Sequence, residues 1–349
     1  MPLHFVLIDG NSLGMTAAAR AYMSRHDPTH RARPLWQTRS GFPNGAVHGT
    51  MASLLYALPE VEAAYPEHTV FPVILWDGRA QWRYDQHPGY KPRSTDADYV
   101  AMKAKYRQEM PGLRGLMYHI GLPQIIGVEE EADDIAGHLA PQLAHFGPVP
   151  AVSKDGDWTQ VVAPNVRCYV HGEHARFIGE ADLATLGGEK YGFASTASFV
   201  QAKALAGDTS DGIIGVDNVG VQRAADLIKE FGSPEAFWAQ VDNGTHVPKG
   251  VIRARLATAE TRMRYAFNMK LIDWRQSPPL QSSTFLWSGP PQPEEAQAIL
   301  AELELKQIGT RLAAHAFSLD FHQALSDSVH PLHQAMNCAW GYCTTAAAT

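Results

Sequence analysis

Nine carboxylates carry most of the chemistry this sequence can offer. Asp9 and Asp77 each close a short apolar run, and Glu131, Asp133 and Asp134 open a helical stretch. Asp155 and Asp157 flank a glycine after a further apolar run, and Asp208 and Asp211 lie in Gly207-Asp208-Thr209-Ser210-Asp211-Gly212. Each has an ordinary structural explanation. Asp9 and Asp77 can cap the helices that follow them, Glu131 and Asp134 suit the first turn of a helix, and Asp155-Gly156-Asp157 suits a turn. Gathered at one edge, however, the first seven would repel one another strongly. Hard divalent cations relieve that repulsion, and Mg²⁺ in particular takes carboxylates together with a substrate phosphate. Two such ions ~3.5–4 Å apart form the two-metal arrangement of phosphodiester hydrolysis. The acids therefore point to a metal site.

For these residues to meet, the elements that carry them must converge. Apolar runs at 4–8, 70–76, 124–128, 149–153 and 166–170 read as strands. Helical patterns separate them, including an Ala-rich stretch after Asn11 and a run over 46–58 that stops at Pro59. Strands alternating with helices imply an α/β fold with a mostly parallel central sheet, and ligands beyond the carboxyl ends of its strands. A polar, basic insert over 79–113, broken by Pro88, Pro92 and Pro111, is long enough to act as a substrate-contacting lid or arch. Its Tyr84, Tyr90, Tyr99 and Tyr106 could stack on bases of a single strand or pack the insert onto the body. After Gly179 helices dominate, over 195–206, 219–231, 234–241 and 250–273. The Pro- and Ser-rich stretch 276–293 reads as a linker, followed by a helix over 294–313 and a weakly patterned tail from Asp327 that is expected to be mobile. The expected organisation is a core at 1–180 with the arch insert, a helical region at 181–290, and a C-terminal helix and tail at 291–349.

Downstream of Asp211 the chain reads as a helix end, a tight turn Val219-Gly220-Val221, and a new helix. Its glycine lets backbone amides approach a phosphate closely at a helix N-terminus, a means of gripping a nucleic-acid backbone without reading bases. Gly215, Val219, Gly220, Val221, Gln222 and Arg223 are the candidate contact residues.

These blocks together resemble the 5′-nuclease (flap endonuclease-like, PIN-like) family, which includes the 5′-nuclease domain of family A DNA polymerases and the 5′–3′ exonucleases of T5- and T7-like phages. The matching stretches are Leu7-Ile8-Asp9-Gly10-Asn11, Gly45-Ala46-Val47-His48-Gly49, Leu75-Trp76-Asp77-Gly78, Gly89-Tyr90-Lys91, Glu131-Ala132-Asp133-Asp134, Ser153 to Trp158, and Gly207 to Ala225, in the family's order. The resemblance implies a first metal group of Asp9, Asp77, Glu131, Asp133 and Asp134, and a second of Asp155, Asp157, Asp208 and Asp211. It implies a helix–three-turn–helix that holds duplex DNA, with a K⁺ ion on its hairpin carbonyls, and basic arch residues Lys91 and Arg93 near the scissile phosphate. The spacing from Lys91 to Arg93 is one residue shorter than the family's usual pattern. Glu129 and Glu130 are extra and fall outside the site, and Asp217-Asn218 and Gln222 replace the more common Pro and Lys in the hairpin. The implied function is a divalent-metal-dependent 5′–3′ exonuclease or flap endonuclease using Mg²⁺, with Mn²⁺ as a substitute. Its partner is DNA with a 5′ end or flap; the resemblance leaves open RNA–DNA hybrids as substrates and contacts with replication proteins.

Composition agrees with a soluble, cytoplasmic enzyme, in the host cytoplasm if phage-encoded. No apolar run reaches bilayer length, and the start of the chain lacks a signal peptide's regions. Cys168, Cys338 and Cys343 cannot all pair within the chain. The net charge of -7 hides segregation: eight bases against four acids over 79–114, and seven against two over 249–275. In the second stretch, Arg253, Arg255, Arg262 and Arg264 suit either phosphate contacts or a solvated helix face. His26/His30 lie i, i+4 but in a loop-like, Pro-broken stretch, and Cys338/Cys343 lack a second pair, so neither is expected to bind zinc. Two other readings compete: a DNA-junction binder of the same fold without strong catalysis, and a PIN-type ribonuclease. The ribonuclease lacks the long basic insert and the hairpin, and a binder that lost catalysis should have lost some of the nine acids.

Overall fold

The computed structural model describes residues 3–23, 36–172, 174–185, 192–280, 283–314, 332–337 and 339. His26, His30, Cys338 and Cys343 lie outside them. A seven-stranded sheet has the order β6-β5-β4-β1-β2-β3-β9. Its strands are β1 (Leu3–Asp9), β2 (Thr69–Trp76), β3 (Gln124–Ile126), β4 (Val149–Val152), β5 (Val166–Val170), β6 (Arg176–Ile178) and β9 (Thr284–Leu286). The five central strands pair in parallel, while β6 and β9 close the edges antiparallel. The long central strands read as continuous apolar runs because both faces are covered. Phe5, Leu7, Phe71, Val73 and Leu75 face one core cluster, which includes α5 (Ala132–Leu143). Val6, Ile8, Ile74 and Trp76 face the other, with α1 (Gly10–Tyr22) and α2 (Gly45–Ala64). The chain leaves β1 for β2 and β3 on one side and places β4 and β5 on the other. This makes the β1/β4 junction a topological switch point, where ligands of open α/β sheets bind.

Several expectations are corrected. Helix α2 does not stop at Pro59 but continues to Ala64, and α4 (Ala97–His119) passes through Pro111. Proline removes one backbone bond. Pro59 is exposed, and burial of Val61 beyond it offsets the loss; Leu113, Leu116 and Met117 do the same beyond Pro111. The helix expected over 250–273 is two, α9 (Val251–Leu256) and α10 (Ala259–Ile272), because Thr258 caps the second. The linker over 276–293 contains β9, which pairs with β3. The helix expected over 294–313 divides into α11 (Pro293–Glu302) and α12 (Lys306–Ala314) around Glu304, whose φ is +54°. In the tail, residues 332–337 are helical, and Leu332, Ala335 and Met336 are buried against the core; residues 327–331, 338 and 340–349 lie outside the described residues. Helices α3 (Gln81–Gln86) and α4 give the basic insert its own structure.

The remaining elements form a helical region: α6 (Thr196–Ala206), the short ladder β7 (Gly207–Asp208) and β8 (Ile213–Ile214), α7 (Val221–Phe231), α8 (Pro234–Asp242), α9 and α10. Gly215 permits its tightest packing, since a Cβ there would lie 2.0 Å from the Ala206 carbonyl oxygen.

Candidate metal centre and nucleic-acid interface

Asp9 ends β1 and caps α1, accepting from the Ser12 amide at 2.8 Å, as its ordinary explanation requires. Its other oxygen accepts from Ser153 Oγ, 2.7 Å away across the β1/β4 switch point. Asp77 does not cap the helix that follows it. Instead it accepts from the Ala132 amide of α5 at 2.9 Å and from Asn11 Nδ2 at 2.5 Å. Gly78 makes this possible: its amide donates to the Glu130 carbonyl, and a Cβ there would come within 2.4 Å of Gly127. The ends of β2 and β3 are thus drawn together.

At the start of α5, carboxylate oxygens of Glu131, Asp133 and Asp134 lie within 4.8 Å of one another. The buried Arg83 guanidinium bridges two of them. It donates to both Asp134 oxygens at 2.6 Å and to Glu131 Oε2 at 3.1 Å. Asp134 also accepts from the Glu131 amide at 3.1 Å, so it braces the helix start as well as adding charge. Glu131 accepts from the Tyr90 hydroxyl at 2.7 Å and from Lys91 Nζ at 2.6 Å. Asp133 accepts the Asp134 amide with one oxygen at 2.9 Å.

A second group joins Asp157, Asp208 and Asp211, again within 4.8 Å. Asp157 belongs to the 3-10 turn Gly156–Val161 after β4, Asp208 ends β7, and Asp211 lies in the β7–β8 turn. Lys203 of α6 donates to both Asp157 and Asp208. Asp155 is exposed; it accepts from the Asp157 amide at 3.0 Å, and its own amide donates to Ser153 Oγ.

Electrostatically the site holds more carboxylates than cations, with Arg83, Lys91 and Lys203 the bases paired to them. Burial, with Asp77 and Asp155 nearby, pushes the Asp9 carboxyl up to about 7. Burial likewise raises Asp77 and Asp133. It raises Asp211 to about 6 against the pull of Lys91. Asp157 also stays raised by burial despite its pairing with Lys203, and at two acids the direction reverses. Burial works against Glu131 and Asp208, yet Lys91 with Arg83 holds Glu131 low and Lys203 brings Asp208 down to about 2. Buried acids displaced upward fit an all-oxygen donor set for hard divalent cations.

Lys91 links the two groups. Its side chain reaches Glu131, its amide donates to the Asp211 carbonyl at 2.8 Å, and its φ of +43° is a left-handed conformation rare outside glycine. Burial lowers the Lys91 ammonium's affinity for its proton, but Glu131 and its neighbours outweigh that and raise it. Arg93 is exposed on the loop beyond. Tyr90 and Tyr106 are buried and pack the insert onto the body, and Tyr84 packs edge-on against Tyr90.

In the hairpin, Val219 is buried and Gly220 is the N-cap of α7. Nothing lies within 4 Å of a Cβ placed at Gly220, and Gln222 donates to Asp226. Gly215, Val219, Gly220 and Arg223 line a cavity of about 610 Å³. The arginines of α9 and α10 are not simply solvated: Arg253 pairs with Glu230, Arg262 with Asp242, and Arg264 with Glu260. Sequence reasoning passed over Arg83 and Lys203. Their only signals were Arg83 lying eight positions before Lys91, and Lys203 lying one helical turn and a residue before Asp208.

Family models for the 5′-3′ exonuclease N-terminal resolvase-like domain and the 5′-3′ exonuclease C-terminal SAM fold match residues 4–188 and 194–288. DNA polymerase I of Deinococcus radiodurans is 27% identical over 313 residues, covering 88% of this chain and 29% of that protein. DNA polymerase I of Bacillus caldotenax is 30% identical over 243 residues, covering 69% and 25%. The chain thus spans between a quarter and a third of the length of these relatives. A structure of T5 5′-exonuclease with bound zinc ions superposes with a TM-score of 0.58 at 17% identity, over 96% of this chain and 99% of that one, and so shares its fold. The first model alone matches more than half of the chain, the second continues it through the hairpin, and both fall on the acids described above: the chain belongs to the 5′–3′ exonuclease family of nucleases.

Proposed function

We propose that the chain hydrolyses DNA phosphodiesters at a 5′ end or at the base of a 5′ flap, with Mg²⁺ as its natural ion. The observation that carries this reading is the pair of carboxylate groups, one on the sheet edge and one between the turn after β4 and the helical region, joined by Lys91. Asp9, Asp77, Glu131 and Asp133 would hold one ion, and Asp157, Asp208 and Asp211 the other, with Asp155 beside both. When bound, such ions supply an activated water and stabilise charge on the reacting phosphoryl oxygens.

The chain's own residues do the rest. Arg83 and Tyr90 fix Glu131 from behind, leaving its remaining lone pairs directed by a rigid frame. Lys91 pairs with Glu131 of the sheet-edge group without substrate, and its ammonium is placed to pair with a phosphate entering between the groups. A cation that meets the phosphate as charge develops stabilises the transition state more than the ground state. Lys203 has the corresponding position between Asp157 and Asp208. The hairpin offers backbone amides at Gly220 and Val221 to the duplex backbone.

A 5′-labelled duplex and a 5′-flap substrate, incubated with Mg²⁺, Mn²⁺ or EDTA, test the reading. Release of short labelled products with either metal and none in EDTA is the expected result. Retention of intact DNA by the protein with no product under any condition would favour a junction-binding role. An RNA–DNA hybrid in the same assay reports whether RNA strands are removed.

A further inference from the structure

The family resemblance implies a monovalent cation on the hairpin carbonyls, and the residues of this chain do not fit one. Every carbonyl from Ile214 to Asn218 already accepts a donor. Ile214 takes Asn268 Nδ2 at 2.9 Å, Gly215 takes Arg264 Nη1 at 3.1 Å, and Val216 takes the Val219 amide at 2.9 Å. Asp217 takes Arg255 Nη1 at 2.7 Å, and Asn218 takes Arg223 Nη1. Three of the five donors are therefore guanidinium groups, and they come from three helices, α7, α9 and α10.

A carbonyl oxygen has a second lone pair, so a bound donor alone does not exclude an ion. Charge does the excluding. A K⁺ ion within reach of Gly215, Asp217 and Asn218 would lie beside three cations that already share those oxygens, and like charges at such separations repel. A guanidinium also stays protonated at any working pH, so this positive charge does not titrate away. Asn218 adapts the turn to this arrangement. Its φ of +60° is a left-handed conformation that asparagine tolerates, and it turns the carbonyl towards Arg223.

We infer that Arg223, Arg255 and Arg264 take the place of a monovalent cation, shaping the hairpin and supplying its positive charge, so that its grip on duplex DNA is indifferent to K⁺. The inference rests on the proposed binding of duplex DNA at the hairpin. The three arginines act as positioning residues: they hold the carbonyls on one side of the turn so that the amides on the other face the phosphates.

Duplex affinity is measured with the full chain in EDTA, which separates binding from hydrolysis, in KCl and in choline chloride at equal ionic strength. Choline is too large to be coordinated by the turn. The expected result is the same Kd in the two salts within about twofold, while raising either salt weakens binding alike through counterion release. Arg255→Ala and Arg264→Ala are expected to weaken binding several-fold in both salts, with Arg264→Lys recovering part of the loss and thermal melting confirming that the variants fold. A several-fold loss on exchanging K⁺ for choline in the unmodified chain would overturn the inference, as would alanine variants that fold and bind as tightly as the parent. Failure of the parent chain to hold duplex in either salt would instead overturn the reading beneath it, and the clamp with it.

Discussion

The two carboxylate groups are built by different means. The sheet-edge group rests on strand ends held in register by parallel pairing, and a buried guanidinium with 2% of its side chain exposed braces it from behind. The second group joins a turn after β4 to a loop of the helical region, and the cation that pairs with its carboxylates is Lys203, 15% exposed. One group is thus set by the sheet itself, whereas the other exists only when the helical region is seated on the core. Lys91 is tied to both: its side chain reaches Glu131 and its amide donates to the Asp211 carbonyl.

The largest expected effect separates chemistry from binding. Asp9→Asn and Asp211→Asn remove one carboxylate from each group, and each should lower the saturated single-turnover rate on the order of a thousandfold with flap affinity in EDTA retained. If only Asp9→Asn has this effect, the second group is a DNA-facing surface and not a metal site. Next comes Lys91→Ala, expected to reduce the saturated single-turnover rate by tenfold or more, with flap Kd changed far less. A variant that changes only KM and its salt dependence would make Lys91 a source of general attraction.

The contrast between the two cations should appear in stability. Arg83→Met leaves Asp134 and Glu131 buried without their partner, a change that costs about 3–5 kcal/mol. Lys203→Met should cost less because its partners reach solvent, and Mg²⁺ should recover more of the loss there than in Arg83→Met. Denaturant melts of both variants with and without Mg²⁺ give the comparison. Equal losses would mean that the second group is as rigid as the first.

The smallest effect concerns the opposite end of β1. His4 is wholly buried beside Tyr65 and His68, and burial, reinforced by His68, lowers its pKa to about 4. The unfolded chain, with a His pKa near 6.5, binds the proton first on acidification. The stability His4 contributes is complete above about pH 6.5 and is lost as pH falls towards 4. His4→Phe should flatten that part of the melting profile. An unchanged pH dependence between parent and variant would place the acid sensitivity elsewhere.

The five main strands were legible because a sheet covered on both faces demands unbroken apolar runs, and the acids stood out at their ends. Proline misled at residues 59 and 111, where apolar residues further along each helix are buried deeply enough to carry it through. The tyrosines of the insert left two readings open until packing chose between them at Tyr90 and Tyr106.

From the sequence alone came the acids, the hairpin block, the basic insert and the alternation of strands and helices, and these sufficed to indicate the family. The tertiary structure decided which acids meet and what braces them: Arg83 behind Glu131 and Asp134, Lys203 between Asp157 and Asp208, and three arginines on one turn. The reason is physical. Local patterns report how a segment buries its own apolar face, whereas a charge pair between residues as distant as Arg83 and Asp134 depends on how separate elements are packed, which no local period encodes.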